Sequence, residues 1–485
     1  MTKKAELFEK KYKTIATIGP KSESYEVMKQ LIQEGVNVIR LNMSHGDFAE
    51  QEARIKTARK IEKELEIPIS VLLDTKGPEI RIHKFENKRE EVNLGDKIEL
   101  HTKEEIVGTK VGNLIKFSCT YKDMSKQVKK DNKVLIDDGK LIVLVNKVDT
   151  KKGIIYGTAQ NNHKVSNNKA INIPGVRLTL PFISDYDRAA IEWGISQDVD
   201  YIAASFVSSK EDILEIRKIL EEHKAEQIQI MPKIESLWSL NHLNEILEVS
   251  DAVMLARGDL GVEIPFEEVP YWEKLIANKA KFFRKPIVIA THMLDSMEDN
   301  PRPTRAEVTD VYYAASLGVD AVMLSGESAA GDFPVAAVNT MSRIVTEASK
   351  HFNHTAFAEE AYAYIPTYQA EVAHEVILKA LERRTDLMII ISNKGRMIKA
   401  LSQYRSPAPI VGIVHDKKIF RKFGAMYGVY NILMKKADHS KLYSNDKELK
   451  AIASNVSKRI FSKDRIDRGL RVIVTNKSEY KVITL

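Results

Sequence analysis

Residues 251–265 read DAVMLARGDLGVEIP. An apolar run follows Asp251, then Arg257, Gly258 and Asp259 arrive together, and the next residues look ready to start a helix. A short, unbroken apolar run of this kind marks a strand buried on both faces, as in a parallel sheet. Adhesion through an Arg-Gly-Asp tripeptide requires an exposed loop tip, whereas this one is delivered by the end of a buried strand. The same pattern returns at 320–325, DAVMLS, with Glu327 just beyond.

Six further runs share the pattern: YKTIATI (12–18), VNVIRLN (36–42), PISVLLD (68–74), DYIAASF (200–206), QIQIMPK (227–233) and PIVIATH (286–292). Amphipathic stretches separate them. Eight buried strands alternating with helices predict an α/β protein built on a (β/α)8 TIM barrel. The rhythm breaks after the third strand, where EVNLGDKIELH, KVLIDDGKLIVLVNKV and GIIYGTAQNN alternate and turn like antiparallel hairpins. A third series, including DLMIIISNKGRMIKALSQYR, PIVGIV and LRVIVT, closes the chain. The expected division is a catalytic barrel over 1–76 and 177–345, an inserted small β-barrel-like lid domain over 77–176, and a C-terminal α/β regulatory domain over 346–485. The stretch 357–375 is the expected linker into helix.

The bulk numbers narrow the function classes. In 485 residues, 44% apolar and 29% charged, there is one cysteine, Cys119, so no disulfide can form within the chain. The first twenty residues carry charges throughout and lack an apolar signal core, which points to the cytoplasm. No apolar run approaches the roughly 18 residues of a membrane span. A net charge of +7 spread over this length favours small anions, without the dense basic tracts of a nucleic-acid binder.

In a barrel of this type chemistry sits at the carboxyl ends of the strands. The second strand ends in Arg40, Asn42, Ser44 and His45, and the third in Asp74, Thr75 and Lys76, with Glu79 and Arg81 beyond. Lys233 and Glu235 end the fifth, Arg257 and Asp259 the sixth, Thr291 and His292 the seventh, and Ser325 and Glu327 the eighth. Neighbouring strands lie about 4.8 Å apart, so Glu235 and Asp259 can reach one ion. Magnesium suits such a site, because it keeps waters and takes one or two protein carboxylates plus substrate oxygens. Lys233, two residues before Glu235, shares its face and sets an ammonium beside the metal. Two positive centres around one hole favour a phosphorylated, carboxylated ligand. One charged strand end is usually a solvated loop residue; agreement among six strands is not. The chain has no Walker A loop, no Rossmann glycine fingerprint, and no HExxH or Cys/His cluster.

The segments IRLNMSHG, LLDTKGPEIR, MPKIES, MLARGDLGVEIP, HMLDSMEDNPRPTRAEVTDV and VMLSGESAAGDFP together resemble the pyruvate kinase family in order and spacing. The resemblance runs from residue 13 to about 345 and more loosely to the C-terminus. It implies a glycolytic phosphotransferase that moves the phosphoryl group of phosphoenolpyruvate to ADP, giving pyruvate and ATP. It also implies Mg²⁺ (or Mn²⁺) and K⁺, a mobile lid, a homotetramer, and a phosphorylated-metabolite effector on the C-terminal domain.

By position, the resemblance makes Glu235 and Asp259 the divalent-metal ligands and Lys233 the lysine that stabilises the transferring group and the enolate. Gly258, Asp259 and Thr291 match the carboxylate-binding positions, Thr291 lies on the protonation route, and Arg40 faces the phosphate. Asn42, Ser44, Asp74 and Thr75 match the K⁺ ligands, and Glu79 stands where K⁺-dependent members agree. Asn42, Ser44, His45, Arg81 and Lys169 fall in the nucleotide pattern. Ser392, Lys394, Gly395 and Arg396 align with the sugar-phosphate effector loop, although Lys394 and Met397 replace two hydroxyls there. His292 and Ala170 depart from the family's usual glutamine and glycine. A metal-dependent barrel aldolase or lyase acting on pyruvate, or a catalytically silent metabolite sensor, are the competing readings.

Overall fold

The computed structural model describes residues 8–364, 368–392, 394–434, 445–476 and 479–485. Eight parallel strands close into a barrel: Lys13–Thr17, Val36–Asn42, Ser70–Asp74, Tyr201–Ala204, Gln229–Ile234, Val253–Ala256, Ile287–Ala290 and Ala321–Leu324. The first strand pairs with the eighth, Ile15 opposite Met323, as well as with the second, Ile15 opposite Val38.

Strand alternation sorts the apolar residues into two layers. Ile15, Val38, Leu72, Met231, Met254, Val288 and Met323 fill the barrel interior. Their neighbours Ala16, Ile39, Leu73, Ile230, Leu255, Ile289 and Val322 face outward and pack against the helices. Both faces are buried, which is why these strands read as unbroken apolar runs. Several of the helices between them start on side-chain caps that the sequence supplies. Ser24, Asp47 and Ser184 accept the N–H three residues on, and Thr304 with Glu307 forms a reciprocal capping box.

Between the third and fourth barrel strands the chain leaves to build an eight-stranded sheet and a separate two-stranded ribbon, Arg89–Val92 with His163–Ser166. This insert has its own core, including Ile98, Phe117, Val134, Val143 and Ile155. Most of its pairings are antiparallel, but Lys97–His101 runs parallel to Leu114–Ser118. Where the chain leaves the barrel, the Asp187 carboxylate accepts the N–H groups of Lys76 (2.9 Å) and Gly77 (3.3 Å), fixing the departure point to the helix Asp185–Ser196.

The C-terminal part holds a five-stranded sheet in the order Val429–Leu433, Ile410–Val414, Leu387–Ile391, Arg471–Thr475, Tyr480–Thr484, the last strand antiparallel. The stretch expected as a linker is helix on both sides, His354–Ala363 and Tyr368–Glu382, while 365–367 lie outside the described residues.

This part also closes the bottom of the barrel. The Arg421 carbonyl accepts from Ser70 Oγ (2.5 Å), and the Lys422 carbonyl accepts from Tyr201 Oη (2.6 Å) and Gln229 Nε2 (2.5 Å). Ala425 joins the inner layer of the barrel, and Tyr427 N donates to Asp320 Oδ1 at 3.1 Å. Ser70, Tyr201 and Gln229 are the first residues of the third, fourth and fifth strands.

Candidate active site

The opposite ends of those three strands meet in one buried network. Arg40 leaves the second strand and donates from Nε to Asp74 Oδ2 (2.6 Å) and from Nη1 to Thr17 Oγ1 (2.9 Å). Asp74, 1% exposed, also takes Ser205 Oγ–H on Oδ1 (3.0 Å) and lies 3.3 Å from Lys233 Nζ. Lys233 donates to Ser205 Oγ at 2.9 Å and pairs with Glu235 Oε1 at 2.8 Å. Glu235 Oε2 accepts the Phe206 N–H at 2.6 Å.

Burial works against the charge on Lys233, but Asp74, Glu235 and Asp259 together more than offset it and hold the ammonium above its ordinary value. Glu235 shows the opposite balance. Burial, with help from Asp259 and against the pull of Lys233, pushes its carboxyl up to about 8. Burial also opposes ionisation of Asp74, yet Lys233 and Arg40 bring its carboxyl below the usual range.

Two cations, Arg40 and Lys233, share this rim with three carboxyl groups, Asp74, Glu235 and Asp259, and burial favours a proton on Glu235. A divalent cation taking the place of that proton would add positive charge where an anionic substrate binds. Glu235 Oε1 is buried and accepts no hydrogen bond of proper geometry despite its proximity to Lys233. Asp259 stands in a short helix, Arg257–Glu263, that opens where the sixth strand ends, and its carboxylate lines the cleft. This pair of hard oxygen donors fits a divalent cation that completes its shell from water and substrate. Among the described residues no group of three His, Cys, Asp or Glu side chains forms a closed metal cage.

Thr291 and His292 occupy the left-handed region, with φ of 67° and 51°, a costly conformation for residues with a Cβ. The Arg257 guanidinium secures it by donating to both carbonyls, at 3.1 and 3.3 Å, while it is anchored on Asp310 (2.6 Å) and Glu273 (3.2 Å). Arg257, expected on the rim beside Asp259, therefore turns inward and supports the loop. The Gly258 N–H donates to Thr291 Oγ1 (2.7 Å), whose own proton goes to the Ala290 carbonyl (2.6 Å). Glu327 likewise turns back, accepting the Leu294 and Ser325 N–H groups.

Asn42 ends the second strand, and Ser44 follows two residues later. Asn42 pairs with Asp74 across the sheet, its Oδ1 accepts the Ser44 N–H (3.1 Å), and Thr75 Oγ1 accepts the Ser205 N–H (3.1 Å). Asn42, Ser44, Asp74 and Thr75 bring side-chain oxygens to the ends of the second and third strands, and the Asp74 charge is shared by Arg40 and Lys233.

Above them a cleft of about 340 Å³ separates the barrel from the insert, lined by His45, Glu79, Arg81, Lys169, Asp259 and Glu263 among others. The two cations of the insert that line this cleft rest on carboxylates. Arg81 forks onto Glu79 at 2.8 and 2.7 Å, and Lys169 sits 2.8 Å from Asp137. Ala170 opens the strand Ala170–Asn172, opposite Arg81.

At the remote loop, Ser392 Oγ accepts the Gly395 N–H (2.9 Å), and Lys394 and Arg396 are exposed. Gly395 has φ 74°, and a Cβ there would strike the Phe423 ring. Residue 393 of the loop lies outside the described residues.

Ser205 and Thr17 were missed by sequence reasoning, although both stand at or beside the carboxyl ends of barrel strands. Ser205 ties Lys233 to Asp74, and Thr17 holds Arg40. The signal was present in DYIAASF and YKTIATI, where a hydroxyl stands one residue before the end of an apolar run.

Comparison with known proteins gives a consistent result. The family described as pyruvate kinase, barrel domain, matches residues 9–338, and the pyruvate kinase alpha/beta domain matches 370–482. A pyruvate kinase of Bacillus licheniformis is 42% identical over 87% of this chain and 71% of its own length. That of Clostridium acetobutylicum is 39% identical over 88% and 89%. The crystal structure of a pyruvate kinase from Cryptosporidium parvum matches with a TM-score of 0.89 and 31% identity, covering 99% of this chain and 97% of that one.

Proposed function

The chain belongs to the pyruvate kinase family, and we propose that it transfers the phosphoryl group of phosphoenolpyruvate to ADP, yielding ATP and, after protonation of the enolate, pyruvate. The observation that carries this reading is the buried Lys233 ammonium held among Asp74, Glu235 and Asp259 at the barrel's carboxyl rim.

Each residue then has a role that follows from its chemistry. Lys233 supplies a fixed positive charge where negative charge builds on the phosphoryl and enolate oxygens, without solvent reorganisation. Arg40, locked by Asp74 and Thr17, presents its remaining donors to the phosphate. Gly258, Asp259 and Thr291 receive the substrate carboxylate at the start of the short helix that opens at Arg257. Thr291 relays a proton to the enolate carbon; its alcohol is too weak an acid to be the ultimate source at neutral pH.

Glu235 and Asp259 would hold Mg²⁺ or Mn²⁺. Bound there, the ion supplies Lewis-acid neutralisation of substrate oxygens. Asn42, Ser44, Asp74 and Thr75 would hold K⁺. His45, Arg81 and Lys169, with Asn42 and Ser44, take the nucleotide, so Arg81 and Lys169 exchange Glu79 and Asp137 for phosphate oxygens as the insert closes and sheds water. The domain bounds of 1–76 with 177–345, 77–176 and 346–485 belong to the same reading. So do a homotetramer, a cytoplasmic location and a phosphorylated effector at Ser392, Lys394, Gly395 and Arg396. Among the described residues no helix is long and apolar enough to cross a membrane.

The test is pyruvate release coupled to lactate dehydrogenase, with phosphoenolpyruvate, Mg²⁺ and K⁺, with and without ADP. ADP-dependent release is expected. ADP-independent release would favour the lyase reading, and no release under any condition the sensor reading.

A further inference from the structure

The insert returns to the barrel through residues 172–183, and one side chain of this segment makes an unusual contact. The Arg177 guanidinium lies over the Trp238 indole, 5.7 Å from its centroid. Arg177 is exposed and pairs with no carboxylate among the described residues, although Asp212, Glu211 and Glu245 line the same recess. Asp212 already accepts from Ser208 and Ser209 and Glu245 lies 3.8 Å from Lys210, so the aromatic face is what holds this cation.

Trp238 has its own anomaly. It is half-buried in the helix Leu237–Asn241, three residues after Glu235, and its indole N–H is buried with no acceptor among the described residues. A buried donor without an acceptor carries a penalty, so packing rather than hydrogen bonding sets this ring. Trp238 and Arg177 form the wall shared by the 340 Å³ cleft and an adjoining recess of about 410 Å³.

A second contact lies close by along the same segment: Asn172 Nδ2 donates to Glu263 Oε1 at 3.1 Å. Glu263 is four residues after Asp259 on one short helix. The return segment thus touches the barrel rim twice, once beside the strand end bearing Lys233 and Glu235 and once beside Asp259. Lys169 lies on the same run of chain, three residues before Asn172.

We propose that Arg177 is a positioning residue, a latch that seats on Trp238 and fixes how far the returning segment, and Lys169 with it, stands from the cleft. The part concerning Lys169 and ADP rests on the phosphotransfer reading; the latch itself does not. It predicts a weaker hold on the nucleotide when the stack is lost, with less effect on the phosphoenolpyruvate site, whose groups sit on the barrel strands.

The experiment compares Arg177→Ala, Arg177→Lys, Trp238→Leu and the Ala/Leu double variant of the full chain by amide hydrogen exchange without ligand and by steady-state kinetics. Loss of an exposed cation–π contact corresponds to roughly two- to fivefold. Arg177→Ala should speed exchange over 163–180 and raise KM for ADP by about that factor, more than KM for phosphoenolpyruvate. Arg177→Lys should recover part of both, and the double variant should be no worse than the more affected single one. Unchanged exchange in Arg177→Ala, or additive effects in the double variant, overturns the latch. So does a large loss in Arg177→Ala that Trp238→Leu does not share, since Arg177 would then be touching ligand itself. Exchange needs no turnover, so a wild-type chain that released no pyruvate would refute the phosphotransfer reading while leaving the latch readable.

Discussion

Gly424 is a point of close approach between the C-terminal part and the barrel, and replacing it with alanine is a quantitative test of that contact. The glycine's φ is not in the left-handed region, so a side chain brings no backbone strain there, only steric conflict. A Cβ would lie 2.7 Å from Ser70 Cβ, still closer to Ser70 Oγ, and 3.3 Å from Val38 Cγ2. Ser70 is fully buried and begins the third barrel strand, and its hydroxyl is spent on the Arg421 carbonyl. Neither partner is the free end of a flexible side chain, so the strand or the segment around Gly424 must shift. Overpacking of this kind costs about 1–3 kcal/mol.

Ser70→Ala alone removes one buried hydrogen bond, worth about 1 kcal/mol. In the double variant the Oγ conflict is gone and only the Cβ approach remains. Its loss should therefore fall short of the sum of the singles by more than the 0.5 kcal/mol within which independent sites add. Urea titrations followed by tryptophan fluorescence measure all four corners of the cycle. A Gly424→Ala chain as stable as the parent, or a strictly additive double variant, would refute the placement of this segment against the barrel floor.

Three further outcomes are expected. Lys233→Met should lower kcat by about two to three orders of magnitude, on the scale of losing a preorganised charge-stabilising group, while phosphoenolpyruvate still binds by fluorescence titration; retained turnover would remove Lys233 from its role. Turnover should depend on K⁺, with equal rates in K⁺-containing and monovalent-cation-free buffer counting against the site at Asn42, Ser44, Asp74 and Thr75. Burial, aided by the nearby Lys11 charge, lowers the His354 imidazole to about 4. Its folded value lies below its unfolded one, so the unfolded chain takes up the proton first, and stability should fall as pH drops from about 6.5 towards 4. The loss is at most about 3 kcal/mol, and His354→Gln should flatten that part of the stability profile measured by urea unfolding.

Much of the site could be read locally. The unbroken runs gave the eight barrel strands, and the residues ending them gave Arg40, Asp74, Lys233, Glu235 and Thr291, because strand direction alone places those ends on one rim. The roles of rim residues were less legible. Arg257 and Glu327 carry the same kind of charge at the same kind of position as Lys233 and Glu235. They turn away because Asp310 and Glu273, and the N–H groups of Leu294 and Ser325, offer closer partners. Ser205 gains its importance only because the fourth strand lies between the third and fifth.

The sequence by itself determined the alternation of buried strands with capped helices, the break for the insert, and the inventory of charges at the strand ends. These are matters of period and residue type, expressed over a few neighbouring positions. Tertiary structure alone decided which charges face one another, that Gly424 and Ala425 stopper the barrel, and that Arg177 finds Trp238. Coulomb attraction and packing fall off with distance in space, and separation along a chain of 485 residues does not report that distance.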